Sequence, residues 1–145
     1  MQARNFIRDF SMRVFLTGAT GFIGTAVAQE LIGHGYPVLG VARTVEAAKM
    51  LAGRGVEPHR GDLTDHASFI AGAQACDAVI HCAFIHDFSK FMENIKIEKA
   101  MVMAMLGALE GSGKPLITTS GVALLAPGQT ATEAHDAARH GRGET

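Results

Sequence analysis

The stretch VFLTGATGFIGTAVAQEL, residues 14–31, constrains the fold more than any other part of this chain. An apolar run leads into three glycines, Gly18, Gly21 and Gly24, and Ile23, Val27 and Leu31 then recur at helical spacing. A strand, a tight turn and a helix in immediate succession are the context in which glycines so spaced build an anion site. Gly18 permits the turn, Gly21 lets backbone approach a diphosphate, and Gly24 lets the helix pack closely on the strand. The first amides of the helix then point at the anion. Thr17 and Thr20 offer hydroxyl donors beside it, and Gly33 and Gly35 end the helix.

The same rhythm continues along the chain. Strand candidates occur at residues 12–18, 37–42, 56–61, 77–83 and 115–120, separated by helical patterns over Ile23–His34, Val45–Leu51, Asp65–Gly72 and Phe88–Glu110. Alternation of this kind predicts right-handed βαβ units. The fold class that follows is α/β: a doubly wound parallel sheet of about five strands, with helices on both faces. In the last helix Phe91, Ile95, Met101, Met105 and Leu109 are expected to pack one stripe on the sheet, its methionines serving as adaptable core filling. A chain of 145 residues supports one such core.

We expect the domain to occupy residues 12–127, with 1–11 a frayed extension in which Asp9 interrupts any transit-peptide pattern of arginines. Residues 128–145 contain no large apolar side chain and are expected to form a mobile tail. Thirteen basic against fourteen acidic residues leave no electrostatic footprint for nucleic acid. No apolar run reaches the roughly 18 residues that span a bilayer, so no membrane partner is expected. The two cysteines, Cys76 and Cys82, read as free thiols of a reducing, cytoplasmic compartment. His81, Cys82, His86 and Asp87 lack dedicated ligand spacing, and no metal is expected.

The motif TGATGFIG resembles the T-G-x-x-G-x-x-G loop of the extended and atypical short-chain dehydrogenase/reductases, the NAD(P)-dependent epimerase/dehydratase group. GDLTD after the third strand, VIHCAF in the fourth and TTSGVALL after the fifth extend the resemblance over roughly residues 12–127. The resemblance implies a Rossmann domain with strand order 3-2-1-4-5, in which Thr17, Gly18, Thr20, Gly21, Phe22, Ile23 and Gly24 surround the diphosphate. Asp62 and Leu63 would meet the adenine, although Asp62 also reads as an ordinary turn aspartate. Cys82, Ala83 and Phe84 would border the ribose and nicotinamide.

An acidic residue at the end of the second strand marks NAD selectivity. Arg43 stands there instead, and a guanidinium suits a 2′-phosphate. NADP is therefore the expected cofactor, with NAD still possible because Glu46 could reach a ribose. By resemblance Ser120 would hold a substrate oxygen, and a helix asparagine would fall near Ile97 or Glu98, with Asn94 close by. The proton shuttle of the resembling enzymes, Tyr-x-x-x-Lys, is absent: Tyr36 is the one tyrosine, and Gly40 stands four residues later. The expected function is thus the cofactor half of an oxidoreductase or epimerase, truncated before its substrate domain and inactive alone. The alternative is a stand-alone NADP-binding sensor or regulatory module. A sheet edge left uncovered would favour self-association.

Overall fold

The computed structural model describes residues 11–121 together with Gly128, Thr130 and Thr132. All of the expected extension but Ser11, and most of the expected tail, lie outside these residues. The elements run β1 (Val14–Thr17), α1 (Phe22–Gly33), β2 (Val38–Ala42), α2 (Val45–Gly53), β3 (Glu57–Arg60), α3 (His66–Ala75), β4 (Ala78–His81), a single 3-10 turn (Phe88–Lys90), α4 (Phe91–Leu109) and β5 (Leu116–Thr118). The sheet order is β3-β2-β1-β4-β5 and each neighbouring pair is parallel, as the alternation predicted.

Side-chain alternation along the strands divides the core in two. Phe15, Leu39, Val41 and Val79 face α3 and α4, where Phe69, Ala73, Met101, Met105 and Leu109 complete one cluster. Leu16, Val38 and Ala42 face α1 and α2, where Ala28 and Leu51 complete the other. The central strands β1 and β2 are buried at every residue because helices cover both of their faces. The outer strands differ: β3 is largely exposed, and Ile117 of β5 is 57% exposed.

Two helices seat differently from their periodicity. On α1 the fully buried positions are Gly24 and Ala28, while Ile23 is exposed and Val27 and Leu31 pack only on the flank. The helix approaches the sheet so closely that only small residues fit between them. On α4 the buried stripe is Asn94, Met101, Met105 and Leu109, whereas Phe91 lies outside the core among Phe84 and Phe88. Thr44 and Asp65 cap α2 and α3 by accepting from the amides of Ala47 and Ser68, the role the sequence assigned to Asp65.

Phe15 is fully buried and meets the rings of His59 and Phe69 edge-on at centroid distances of 5.5 and 6.0 Å. Phe15→Ala should cost about 3–5 kcal/mol of stability. Equilibrium urea unfolding measures it, and a loss below about 1 kcal/mol would contradict this packing.

Candidate functional site

Three segments of backbone meet at the turn between β1 and α1. Gly18 adopts φ +70°, a conformation that side-chain-bearing residues rarely take, and a Cβ on it would lie 2.7 Å from the Cys82 carbonyl carbon. A Cβ on Gly24 would overlap the Gly18 carbonyl outright. Gly21 is the N-cap of α1 and supplies no side-chain cap, so the first amides of the helix face outward with no side-chain acceptor from the cap.

The turn from Gly18 to Gly21 lines a cleft of about 450 Å³ across the carboxyl ends of β1 to β4, at the point where the strand order reverses. Open α/β sheets bind ligands at such switch points. Gly18, Thr20 and Gly21 form one wall, Arg43, Asp62 and Leu63 one end, and Cys82, Ala83 and Phe84 the opposite side. Nine of the thirteen residues assigned to the cofactor from sequence therefore line one cleft.

The other four do not. Gly24 sits behind the wall, and Phe22 and Ile23 are exposed on the first turn of α1, Phe22 at 96%. Thr17 is fully buried, so its hydroxyl is not the donor to an anion that the sequence suggested. Ser120 lines a separate groove of about 250 Å³ beside Thr118 and Thr119, facing Ile95, Glu98 and Lys99 of α4. Sequence reasoning also missed Thr44, Phe69 and His86 in the cleft wall. Thr44 was the most legible of them, since a threonine directly before a helix is a cap and so stands at a strand end. It missed the role of Asn94 as well. That side chain is buried and its Nδ2 donates to the Ile85 and Asp87 carbonyls at 3.2 and 2.8 Å, tying down the loop that carries Phe84 and His86.

At the Arg43 end, the Asp62 carboxylate accepts from the Thr64 amide at 3.0 Å and the Thr64 hydroxyl at 2.9 Å through Oδ1. Its Oδ2 lies 3.9 Å from the Arg43 guanidinium. The Thr64 amide, aided by its hydroxyl and by Arg43 against a partial desolvation, holds the carboxyl below its ordinary range. The carboxylate is charged at neutral pH.

Against known proteins, the model of the NAD dependent epimerase/dehydratase family matches residues 14–140. The chain belongs to this family. An uncharacterized protein of Saccharomyces cerevisiae is 44% identical over 126 residues, which cover 84% of this chain and 42% of that protein. The bifunctional dihydroflavonol 4-reductase/flavanone 4-reductase of Malus domestica is 34% identical over 113 residues, 72% of this chain and 32% of that enzyme. Among solved structures, a UDP-glucose-4-epimerase from Stenotrophomonas maltophila shares the fold with a TM-score of 0.64 at 24% identity, covering 78% of this chain and 38% of its own. The chain thus spans about two fifths of the length of the fungal relatives it matches, 42% in both.

In this epimerase/dehydratase domain a buried polar chain fastens the cleft floor. The Thr17 hydroxyl accepts from the Cys82 and Ala83 amides at 3.1 and 3.2 Å and lies 2.7 Å from His81 Nδ1. With both lone pairs engaged, the hydroxyl proton goes to Nδ1, so the neutral ring carries its own proton on Nε2. That atom is buried with no hydrogen-bond partner among the described residues and lies 3.9 Å from Glu98 Oε1. Burial lowers the His81 pKa from 6.5 and raises that of Glu98. A neutral imidazole facing the carboxyl is the result.

Thr17→Val keeps the shape of the side chain and strands the Ala83 amide and His81 Nδ1. It should cost about 1–3 kcal/mol in urea unfolding, with Thr17→Ser recovering most of the loss. The pH dependence has a sign. Above pH 6.5 the ring is neutral folded and unfolded; below it the unfolded chain takes a proton that the native ring refuses, so stability falls as pH drops through 6.5. Glu98 acts oppositely, because its native carboxyl takes up a proton earlier than the unfolded one and regains stability at lower pH. In Glu98→Gln that recovery should vanish while the decline below 6.5 stays, read by unfolding series from pH 8 to 4.

Proposed function

We propose that these residues are the dinucleotide-binding domain of an NAD(P)-dependent oxidoreductase or epimerase. One observation carries the reading: the turn into α1, where a Cβ on Gly18 or Gly24 would collide with backbone, lines with Gly18, Thr20 and Gly21 a cleft at the switch point of the sheet. Membership of the NAD dependent epimerase/dehydratase family supports it. When bound, the nicotinamide of such a cofactor supplies or accepts hydride. The chain's own residues would do the rest. Gly18, Thr20, Gly21 and the α1 amides would hold the diphosphate. Leu63 would pack on the adenine, and the loop from Cys82 to Phe84 would border the ribose and nicotinamide.

Within this reading NADP is the preferred cofactor, because Arg43 stands exposed just past β2, and among the described residues its one ion pair is the 3.9 Å contact with Asp62. Ser120 would orient a substrate oxygen. No Tyr-x-x-x-Lys stands within the 145 residues, so the proton shuttle is proposed to lie in a part of the full enzyme that this sequence does not contain. The share of the relatives' length that the chain spans supports that. The free thiols Cys76 and Cys82, which burial makes hard to ionise, suit the reducing, cytoplasmic setting proposed with it.

Arg43→Ala should remove a charge-assisted bond worth roughly 1.5–3 kcal/mol, lowering NADPH affinity about ten- to a hundredfold while NADH affinity barely moves. Fluorescence titration of both cofactors measures it, and equal losses would refute the assignment of Arg43. The chain by itself should bind NADPH without reducing carbonyl substrates. Turnover that Ser120→Ala abolishes would show instead that Ser120 and solvent suffice.

A further inference from the structure

His81 joins the cleft to the groove that Ser120 lines. Its backbone carbonyl accepts from the Thr119 amide and hydroxyl at 3.1 and 3.2 Å, at the exit of β5 beside Ser120. Its Nδ1 meets the Thr17 hydroxyl, which in turn receives the amides of Cys82 and Ala83. The Cys82 amide has a second acceptor in the Thr17 carbonyl at 3.2 Å, whereas the Ala83 amide has only the hydroxyl among the described residues. The far side of the ring is incomplete. Nε2 is buried and unpartnered among the described residues, and Glu98 Oε1 stands 3.9 Å away, about 1 Å beyond hydrogen-bond length. The Glu98 side chain borders the groove and is 26% exposed, so a turn of its carboxyl can close that gap.

A hydrogen bond between such a carboxyl and an imidazole can run in either direction. An ionised Glu98 only accepts, which suits a proton on Nε2 and leaves Nδ1 bare for the Thr17 hydroxyl. A protonated Glu98 can donate instead, and it then meets a bare Nε2 in a ring whose proton sits on Nδ1. The change adds one solvent proton overall: the carboxyl takes the proton of Nε2, the ring gains one at Nδ1, and Thr17 keeps its own. Thr17 Oγ then faces Nδ1–H and both amides with two lone pairs, and its own proton has lost its acceptor. The Cys82 amide falls back on the Thr17 carbonyl, and the floor is held by one bond fewer. Burial favours this neutral outcome over an imidazolium beside a carboxylate, because it raises the Glu98 carboxyl and lowers the ring. Few other charges bear on the pair: β1 and β5 carry none, α3 has only the exposed His66, and α4 adds Lys99 at the groove.

We propose that Glu98 is a positioning residue of the cleft: its carboxyl selects which nitrogen of His81 carries the proton, and that choice sets how firmly Thr17 holds the Cys82–Ala83 floor. The effect on a cofactor rests on the dinucleotide reading above; the choice of tautomer does not. Gly18 lies against the Cys82–Ala83 peptide with no room for a Cβ, so a looser floor is felt at the glycine turn as well as beneath the ribose. Affinity at the cleft is therefore highest with Glu98 ionised and falls as its carboxyl takes up a proton from the groove side.

Nitrogen-15 NMR of the histidine rings in the whole chain distinguishes the two neutral tautomers from each other and from the imidazolium. In the wild type His81 should carry its proton on Nε2 at pH 8 and on Nδ1 at pH 4.5, neutral at both. Glu98→Gln, whose side chain does not titrate, should keep one tautomer throughout. NAD+ and NADP+ are then titrated into both proteins over the same range, where every other titrating group is common to the two. From pH 8 to 4.5 the wild type should lose about three- to tenfold more affinity than Glu98→Gln, the worth of about one neutral hydrogen bond. A merely structural Glu98 would change affinity equally at every pH and leave the tautomer alone. A ring that keeps its proton on Nε2 at pH 4.5, or that becomes imidazolium, overturns the proposal, and so does an equal loss of affinity in Glu98→Gln. Failure of the wild type to bind either cofactor at pH 8 overturns the dinucleotide reading and the cleft role of Glu98 with it, and the NMR result tells that failure from a failure of the relay.

Discussion

Everything in the candidate site depends on how closely three pieces of backbone approach one another around Gly18. The Gly18 carbonyl receives the Gly21 amide at 2.9 Å to close the turn, and the same carbonyl fills the space where a Cβ of Gly24 would be. On its other side Gly18 leaves no room between itself and the Cys82–Ala83 peptide. Removing side chains at two positions therefore brings α1 down onto β1 and brings β1 against the exit of β4. The amides of α1 reach the switch point for that reason. The small buried face of α1, Gly24 and Ala28, is the same constraint continued along the helix.

So close an approach leaves polar groups with nowhere to turn, and the chain answers with Thr17. Its hydroxyl gathers the two amides that leave β4, and His81 takes the hydroxyl proton. A threonine at this position thus serves the cleft from behind. It shapes the floor on which a ribose would lie, and it places no hydroxyl in the cleft itself. The histidine is the cost of that arrangement: a fully buried ring whose remaining N–H finds no acceptor among the described residues closer than Glu98.

The sequence disclosed those features that arise from local pattern. Alternating strand and helix signals predicted a parallel sheet, the family resemblance supplied its strand order, and glycine spacing located the turn. Residues just past strand ends, Arg43, Asp62, Leu63 and the Cys82–Phe84 run, proved to line the cleft because in a parallel sheet every such exit lies on one edge. Positions that depend on distance between elements were not legible. Apolar spacing in α1 and α4 put Ile23 and Phe91 in the core, yet the first is displaced by the tight approach at Gly24 and the second joins rings outside the core. Thr17 and Thr20 look alike in the motif. Only the direction of a strand's last side chain separates them, and that one sends Thr17 inward toward His81.

α4 shows how one helix face serves two regions at once. Asn94 and Glu98 are four residues apart and so lie one above the other on the helix. Asn94 secures the loop after β4 and with it the Phe84 side of the cleft. Glu98, one turn on, borders the groove that Ser120 lines and faces the buried His81 ring. A shift of α4 along its axis would therefore move the cleft wall and the groove together. The hydrophobic stripe below them, Met101, Met105 and Leu109, opposes such a shift because all three are packed among Phe15, Phe69 and Val79. The fixed spacing between cleft and groove is thus set by core packing along the same helix, and nothing in the glycine motif encodes it.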